Sequence, residues 1–240
     1  MPSVSDFAAF FAEHEHCRDL DGSSIDNGNR VVLTCSCRAI FSRLVRDLHP
    51  EDRCDAQFRR GLNCARSENY PAAVQSYRVA ALQSHTNAQN NLGVLYARGT
   101  GVPQDYVQAT KWFRRAADNG LAGAQFNLAR LYTFGHGVQQ SDAEAAKWFR
   151  RAAEHGSPDA QMDLGYMYAR GLGVTQDWVK AYMWFALVAA RAESKVDRDN
   201  AMRNQAIAAR RMSAPQIAEA LRRACEWCLK LQRPRSAPDG

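Results

Sequence analysis

A tandem self-match at a fixed offset governs what this chain can fold into. Ala88-Gln89, Leu92-Gly93, Tyr96, Gly99-Thr100-Gly101-Val102 and Lys111 to Ala117 recur 36 positions later as Ala124-Gln125, Leu128-Ala129, Tyr132, Gly135-His136-Gly137-Val138 and Lys147 to Ala153. A third copy carries Ala160-Gln161, Leu164-Gly165, Tyr168, Gly171-Leu172-Gly173-Val174 and Trp184-Phe185. A unit of this size cannot bury its apolar face alone and gains a core only by stacking on its neighbours, which predicts a helical array. An earlier copy is shorter: Ala73, Tyr77 and Ala80-Ala81 lie 36 before Ala109, Phe113 and Ala116-Ala117, but Ala56-Gln57 and Gly61 lie only 32 before Ala88-Gln89 and Gly93. The missing residues fall where the other units place their glycine loop.

Each unit reads as a pair of helices. From Ala88 to Arg98 the large apolar positions are Leu92, Leu95 and Tyr96, the spacing of one helix face, and Gly93 leaves room for a partner helix. Gly99 and Gly101 are expected to end that helix, because glycine tolerates the left-handed backbone of a C-terminal cap. Asp105, Ser141 and Asp177 share one phase and stand where the next helix begins, each able to accept from a free backbone N–H. Ser141 with Glu144, and Ser213 with Gln216, have the spacing of capping boxes. The second helix carries a Trp-Phe pair and an Ala-Ala pair, large and small residues expected to interdigitate in the core. Arg114-Arg115 and Arg150-Arg151 recur at one phase, which predicts a solvated or inter-unit position.

The pattern A-x3-LG-x2-Y-x2-G-x-GV, then A-x3-F-x2-AA, resembles the Sel-1-like repeat, a relative of the tetratricopeptide repeat. Here it is carried by Ala88, Leu92-Gly93, Tyr96, Gly99, Gly101-Val102, Ala109, Phe113 and Ala116-Ala117, and it extends over roughly residues 87–192. Departures are small: Gly93 becomes Ala129 in the next copy, and Gly120 and Gly156 become Ala192. The resemblance implies an all-α fold, a right-handed α-solenoid of helix-turn-helix repeats, serving as a bacterial-type protein-interaction scaffold and not as an enzyme. Some cysteine-rich relatives are described as β-lactam-binding or hydrolase-like, but no Ser-x2-Lys motif stands in this sequence.

Charge and composition narrow the function classes. Lysine and arginine number 31 against 25 acidic residues, a net charge of +6, yet the arginines are spread along the whole array and support only non-specific attraction to anions. Nucleic acid is therefore not the favoured partner. No stretch approaches the ~20 apolar residues of a membrane span. Met1 to Phe11 lacks the basic start and cleavage site of a secretory signal. Of seven cysteines none lies between residues 65 and 224, so the intra-repeat pairing of secreted relatives has no residues to form from, and the expected location is the cytoplasm. The Gly-x-Gly loops follow helices and lack a third glycine, which fails the context of a dinucleotide site. His136 and His155 have no counterpart at the same phase, and no nucleophile–base pair or small-molecule substrate is evident.

The chain divides into an amino-terminal unit at 1–50, four repeats at 54–86, 87–122, 123–158 and 159–192, capping helices at 193–232, and a disordered tail at 233–240. The first unit reads as α+β: Asp6 to Glu13 has Phe7, Phe10 and Phe11 on one side of a short helix, and Arg30 to Cys37 and Ala39 to Val45 are strand-like runs after an Asn27-Gly28 turn. His14, Cys17, Cys35 and Cys37 offer four tetrahedral ligands for a structural zinc in a ribbon-like arrangement, although Cys-x-Cys replaces the usual Cys-x2-Cys. Free thiols are the alternative, and with zinc the unit could act as a nucleic-acid or regulatory adaptor. In the last helix Ile217, Leu221, Ala224, Cys228 and Leu231 form a stripe, which puts Cys228 on a buried face and not in a redox pair with Cys225.

In tetratricopeptide units the first helix lines the concave face, and aligning on the Leu-Gly pair places three inward rungs. They are Phe58, Asn90, Phe126 and Met162; Leu62, Val94, Arg130 and Tyr166; and Arg66, Arg98, Phe134 and Arg170. Aromatics with arginines are the types enriched at binding hot spots, and the arginines favour a protein or acidic peptide partner.

Overall fold

The computed structural model describes residues 20–26, 30–35, 40–44 and 50–232. At the amino terminus, β1 (Leu20–Asp26), β2 (Arg30–Cys35) and β3 (Ile40–Leu44) form an antiparallel sheet in the order β1-β2-β3. Thr34 pairs with Ile40 and Arg30 with Leu44, so the two strand-like runs meet as a hairpin. β1 leaves no mark in the sequence, because Leu-Asp-Gly-Ser-Ser-Ile-Asp shows no apolar alternation. His14, Cys17, Cys37 and the side chain of Cys35 lie outside the described residues, as do the helix expected at Asp6 to Glu13 and the tail at 233–240.

The repeat becomes α1 (Pro50–Arg66) with α2 (Tyr70–Leu82), α3 (Thr86–Arg98) with α4 (Tyr106–Asp118), α5 (Ala122–Phe134) with α6 (Asp142–Glu154), and α7 (Pro158–Arg170) with α8 (Trp178–Arg191). Two further helices, α9 (Lys195–Ala209) and α10 (Ala214–Gln232), both pack on α8 and close the α-solenoid. Within each pair the small residue of the first helix receives the aromatic ring of the second. A Cβ added to Gly61, Gly93 or Gly165 would stand 2.5, 2.8 or 2.6 Å from the ring of Tyr77, Phe113 or Phe185. The Ala pairs at 116–117 and 152–153, and the Trp-Phe pairs at 112–113, 148–149 and 184–185, are buried as the phase required.

Capping follows the sequence. The Asp105 and Asp177 carboxylates accept from the backbone N–H groups of Gln108 and Lys180 at 2.9 Å, and Ser141 Oγ accepts from Glu144 at 3.3 Å. Gln216 Oε1 accepts from the Ser213 backbone N–H at 2.8 Å. In the shortened first unit no glycine loop exists; Glu68 takes the left-handed conformation with φ 58° and Asn69 caps α2. The glycine pairs divide their labour, a correction to the expectation that both end the helix. Gly99, Gly135 and Gly171 are the left-handed caps. Gly137, with φ 68°, is instead pressed onto the preceding unit, where a Cβ would meet the Tyr106 carbonyl oxygen at 2.3 Å.

Polar bonds repeat between units as regularly as the core does. Buried Gln89, Gln125 and Gln161 each donate through Nε2 to the carbonyl of Ala81, Ala117 or Ala153 at 3.1 Å, tying the start of a first helix to the end of the helix before it. Arg78 and Arg150 donate to the hydroxyls of Tyr96 and Tyr168 at 2.8 Å, and Arg114 does the same to Tyr132. The second arginine of each pair folds back on its own helix: the Arg115 and Arg151 guanidiniums sit 4.8 and 4.5 Å from the ring centroids of Trp112 and Trp148. The recurring arginines thus belong to the scaffold.

On α10 the buried stripe is rotated from its expected position. Ala220 and Ala224 are buried and Ile217, Trp227 and Cys228 pack on the core, whereas Leu221 is 46% exposed. Trp227 sets this rotation by meeting Trp184 edge-on at 5.6 Å between centroids.

Candidate functional site

The repeat fixes the scaffold, so a site is to be sought where successive units differ. Between α3 and α5 an open cleft of about 440 Å³ runs toward the start of α4. From α3 it is lined by Val94 and Arg98, and from α5 by Asn127, Arg130 and Phe134. Tyr106, the first residue of α4, and His136, in the loop after α5, close one end.

The aromatic groups form a connected wall. The Tyr106 and His136 rings stack at 4.4 Å, and His136 meets Phe134 at 5.8 Å between centroids. Arg130 bridges two rings, its guanidinium lying 6.0 Å from the centroid of Phe126 and 5.9 Å from that of Phe134. Phe134 remains 56% exposed. The close approach at Gly137 pins the loop to Tyr106 and so holds His136 over that ring. Among the described residues neither Arg98 nor Arg130 has a salt-bridge partner within 4.0 Å. The cleft therefore presents two guanidiniums beside exposed apolar rings, an arrangement that can hold a carboxylate through paired N–H donors and an apolar group against the wall.

Of the residues expected to bind a partner, the structure brings Val94, Arg98, Arg130 and Phe134 to this cleft. Asn90 lies beside it, accepting from Asn127 Nδ2 at 3.1 Å. Phe126 is half-buried and turns partly inward against Phe149, 5.7 Å away between centroids. Tyr166 is engaged elsewhere: its hydroxyl accepts from Asn204 Nδ2 of α9 at 2.8 Å and its ring stands edge-on to Phe185. Arg66 and Arg170 end α1 and α7, exposed and outside the cleft lining. Of the four arginines expected on one surface, Arg98 and Arg130 line this cleft.

The aligned rungs do not include Tyr106, Asn127, His136 or Asp163. Asp163 occupies on α7 the phase of Asn127 on α5, and burial pushes its carboxyl up to about 6; Arg130 pulls it down and Asp159 adds to the rise. The signal for Tyr106 and His136 is departure from the repeat: Tyr106 stands where later units have Asp142 and Trp178, and His136 where others have Thr100 and Leu172; Asn127 repeats Asn91 of the preceding unit and carries no such signal.

The family model described as Sel1 repeat matches residues 86–121, 122–157 and 158–191. The crystal structure of a Sel1 repeat protein from Oxalobacter formigenes is 30% identical, covers 69% of this chain and 76% of its own, and superposes with a TM-score of 0.57. The chain belongs to the Sel1 repeat family. The crystal structure of c5321, a protective antigen of uropathogenic Escherichia coli strains displaying an SLR fold, is similar at 26% identity and a TM-score of 0.50 over 78% of this chain, which spans 50% of that antigen's. No curated protein matches the chain. Sel1 repeat proteins generally mediate protein–protein interaction, and the fold is typically a non-catalytic scaffold. Among the described residues no helix of this Sel1 array is long and apolar enough to cross a membrane.

Proposed function

We propose that this Sel1 array is an adaptor that holds an extended acidic segment of a partner protein along its first helices, with the cleft between α3 and α5 as the principal contact. The observation that carries the reading is the placement of Arg98 and Arg130, from successive units, on one open cleft beside exposed aromatic rings. A guanidinium gains most from a carboxylate where apolar neighbours thin the surrounding water, and aromatic residues with arginine supply the anchors of protein interfaces.

Fluorescence anisotropy with labelled twelve-residue peptides rich in Asp and Glu tests this. Arg98→Ala with Arg130→Ala should weaken binding at least about tenfold, or ~1.4 kcal/mol, and Arg98→Ala alone, which leaves Arg130 beside Asp163, should weaken it in the same direction with an unchanged melting temperature. The control is Arg60→Ala with Lys111→Ala, both exposed. Arg114 and Arg150 are unsuitable as controls because they hold Tyr132 and Tyr168. Equal loss in both double variants would show diffuse charge attraction and overturn the reading, as would no binding at all.

A further inference from the structure

Residues that vary between units converge on one place. In the order of the second, third and fourth units, the phases read Asn90, Phe126, Met162; Val94, Arg130, Tyr166; Arg98, Phe134, Arg170; Thr100, His136, Leu172; and Tyr106, Asp142, Trp178. The inter-unit polar bonds and the small-residue contacts stay fixed through the same stretch. Other phases vary as well, Thr110, Ala146 and Tyr182 among them, so variation alone marks no site; what sets these positions apart is that Arg98, Tyr106, Arg130, Phe134 and His136 meet at one cleft.

We infer that the wall formed by Tyr106, Phe134 and His136 is a seat for one aromatic side chain of the partner, flanked in the partner's sequence by acidic residues that reach Arg98 and Arg130. This rests on the acidic-segment reading and adds the residue type that reading lacks. The wall is built: Tyr106 and His136 are already stacked, so little order is lost when a further ring settles on them. Phe134 offers an exposed ring at the cleft mouth, and Arg130 lies beside that ring, so a ring and a carboxylate close together in a partner find complementary surfaces close together here. The next boundary carries no such seat, since Tyr166 is bound to Asn204 and Leu172 replaces His136.

The test uses the full chain and a set of immobilised nine-residue acidic peptides in which the central position is varied through all residue types. Peptides with central Phe, Tyr or Trp should bind roughly three- to tenfold more tightly than the Ala peptide. A double-mutant cycle between the peptide's Phe→Ala change and Phe134→Ala should show coupling, the aromatic preference vanishing in the variant while the acidic contribution persists. His136→Ala should reduce the preference in the same direction. If acidic peptides bind without aromatic preference, or the preference survives Phe134→Ala, the seat is refuted and the acidic-segment reading stands. If no peptide of the set binds, that reading falls and the seat with it.

Discussion

The boundary between α3 and α5 and the boundary between α5 and α7 are built by the same rules and present different surfaces. At both, a buried glutamine bonds to the preceding unit's alanine carbonyl and an arginine holds a tyrosine hydroxyl. At the first, Asn127, Arg130, Phe134 and His136 line an open cleft. At the second, the equivalents of the first three are Asp163, Tyr166 and Arg170, with Tyr166 tied to α9. Scaffold and surface are thus separable in this protein: one is written in the residues that recur, the other in those that do not.

Loss of a shared scaffold residue is the largest expected effect. Trp148 is buried in the main core and carries Arg151 on its ring. Trp148→Ala should cost roughly 3–5 kcal/mol and lower the melting temperature by calorimetry. An unchanged midpoint would mean the array does not share one cooperative core. A smaller, discriminating effect separates the two glutamines. Gln125→Ala removes one of two donors from the Ala117 carbonyl, which keeps the Gly120 N–H at 3.0 Å, a cost of about 0.5–1.5 kcal/mol, and also removes Oε1 from His155 Nδ1, 2.9 Å away. Gln161→Ala loses the same carbonyl contact where Arg191 replaces that histidine, so chemical denaturation should rank it the milder; the opposite ranking would show that the histidine contributes nothing.

The smallest effect concerns Asp163, which distinguishes the second boundary from the first by charge. Its carboxyl is raised in the folded state to about 6 from the ordinary 3.8, so folding favours the protonated form. That contribution is full below about pH 4 and is lost as pH rises through about 6. Asp163→Asn gives the second boundary the residue type that the first has at this phase, Asn127. Its melting temperature should exceed that of the parent at pH 7–8, with the advantage shrinking toward pH 4. A constant difference across that range would place the origin in shape and not in ionisation.

The array was legible because its causes are periodic. Gly93 facing Phe113, the Trp-Phe and Ala-Ala core and the Asp and Ser caps each recur, and recurrence separates a structural requirement from chance. The candidate site was only half legible. Arg98 and Arg130 could be placed on one face by helix phase, but phase alone assigned Tyr166 to an open groove, since the bond to Asn204 joins residues 38 apart and outside the period. Tyr106 and His136 are marked in the sequence only as departures from their counterparts, and periodicity by itself gives a departure no role. Glu68 shows a further limit: a left-handed turn on a residue other than glycine leaves no compositional mark.

The bonds that join one unit to the next also govern how the molecule can change length. Because Arg114 reaches Tyr132 just as Arg150 reaches Tyr168, and Ala117 meets Gln125 just as Ala153 meets Gln161, every unit offers its successor the same sockets. Excising residues 123–158 would set Arg114 opposite Tyr168 and the Ala117 carbonyl opposite Gln161, orphaning neither socket. A lineage can therefore gain or drop a whole module in a single genetic event, exchanging one recognition surface for another while the joints remain matched.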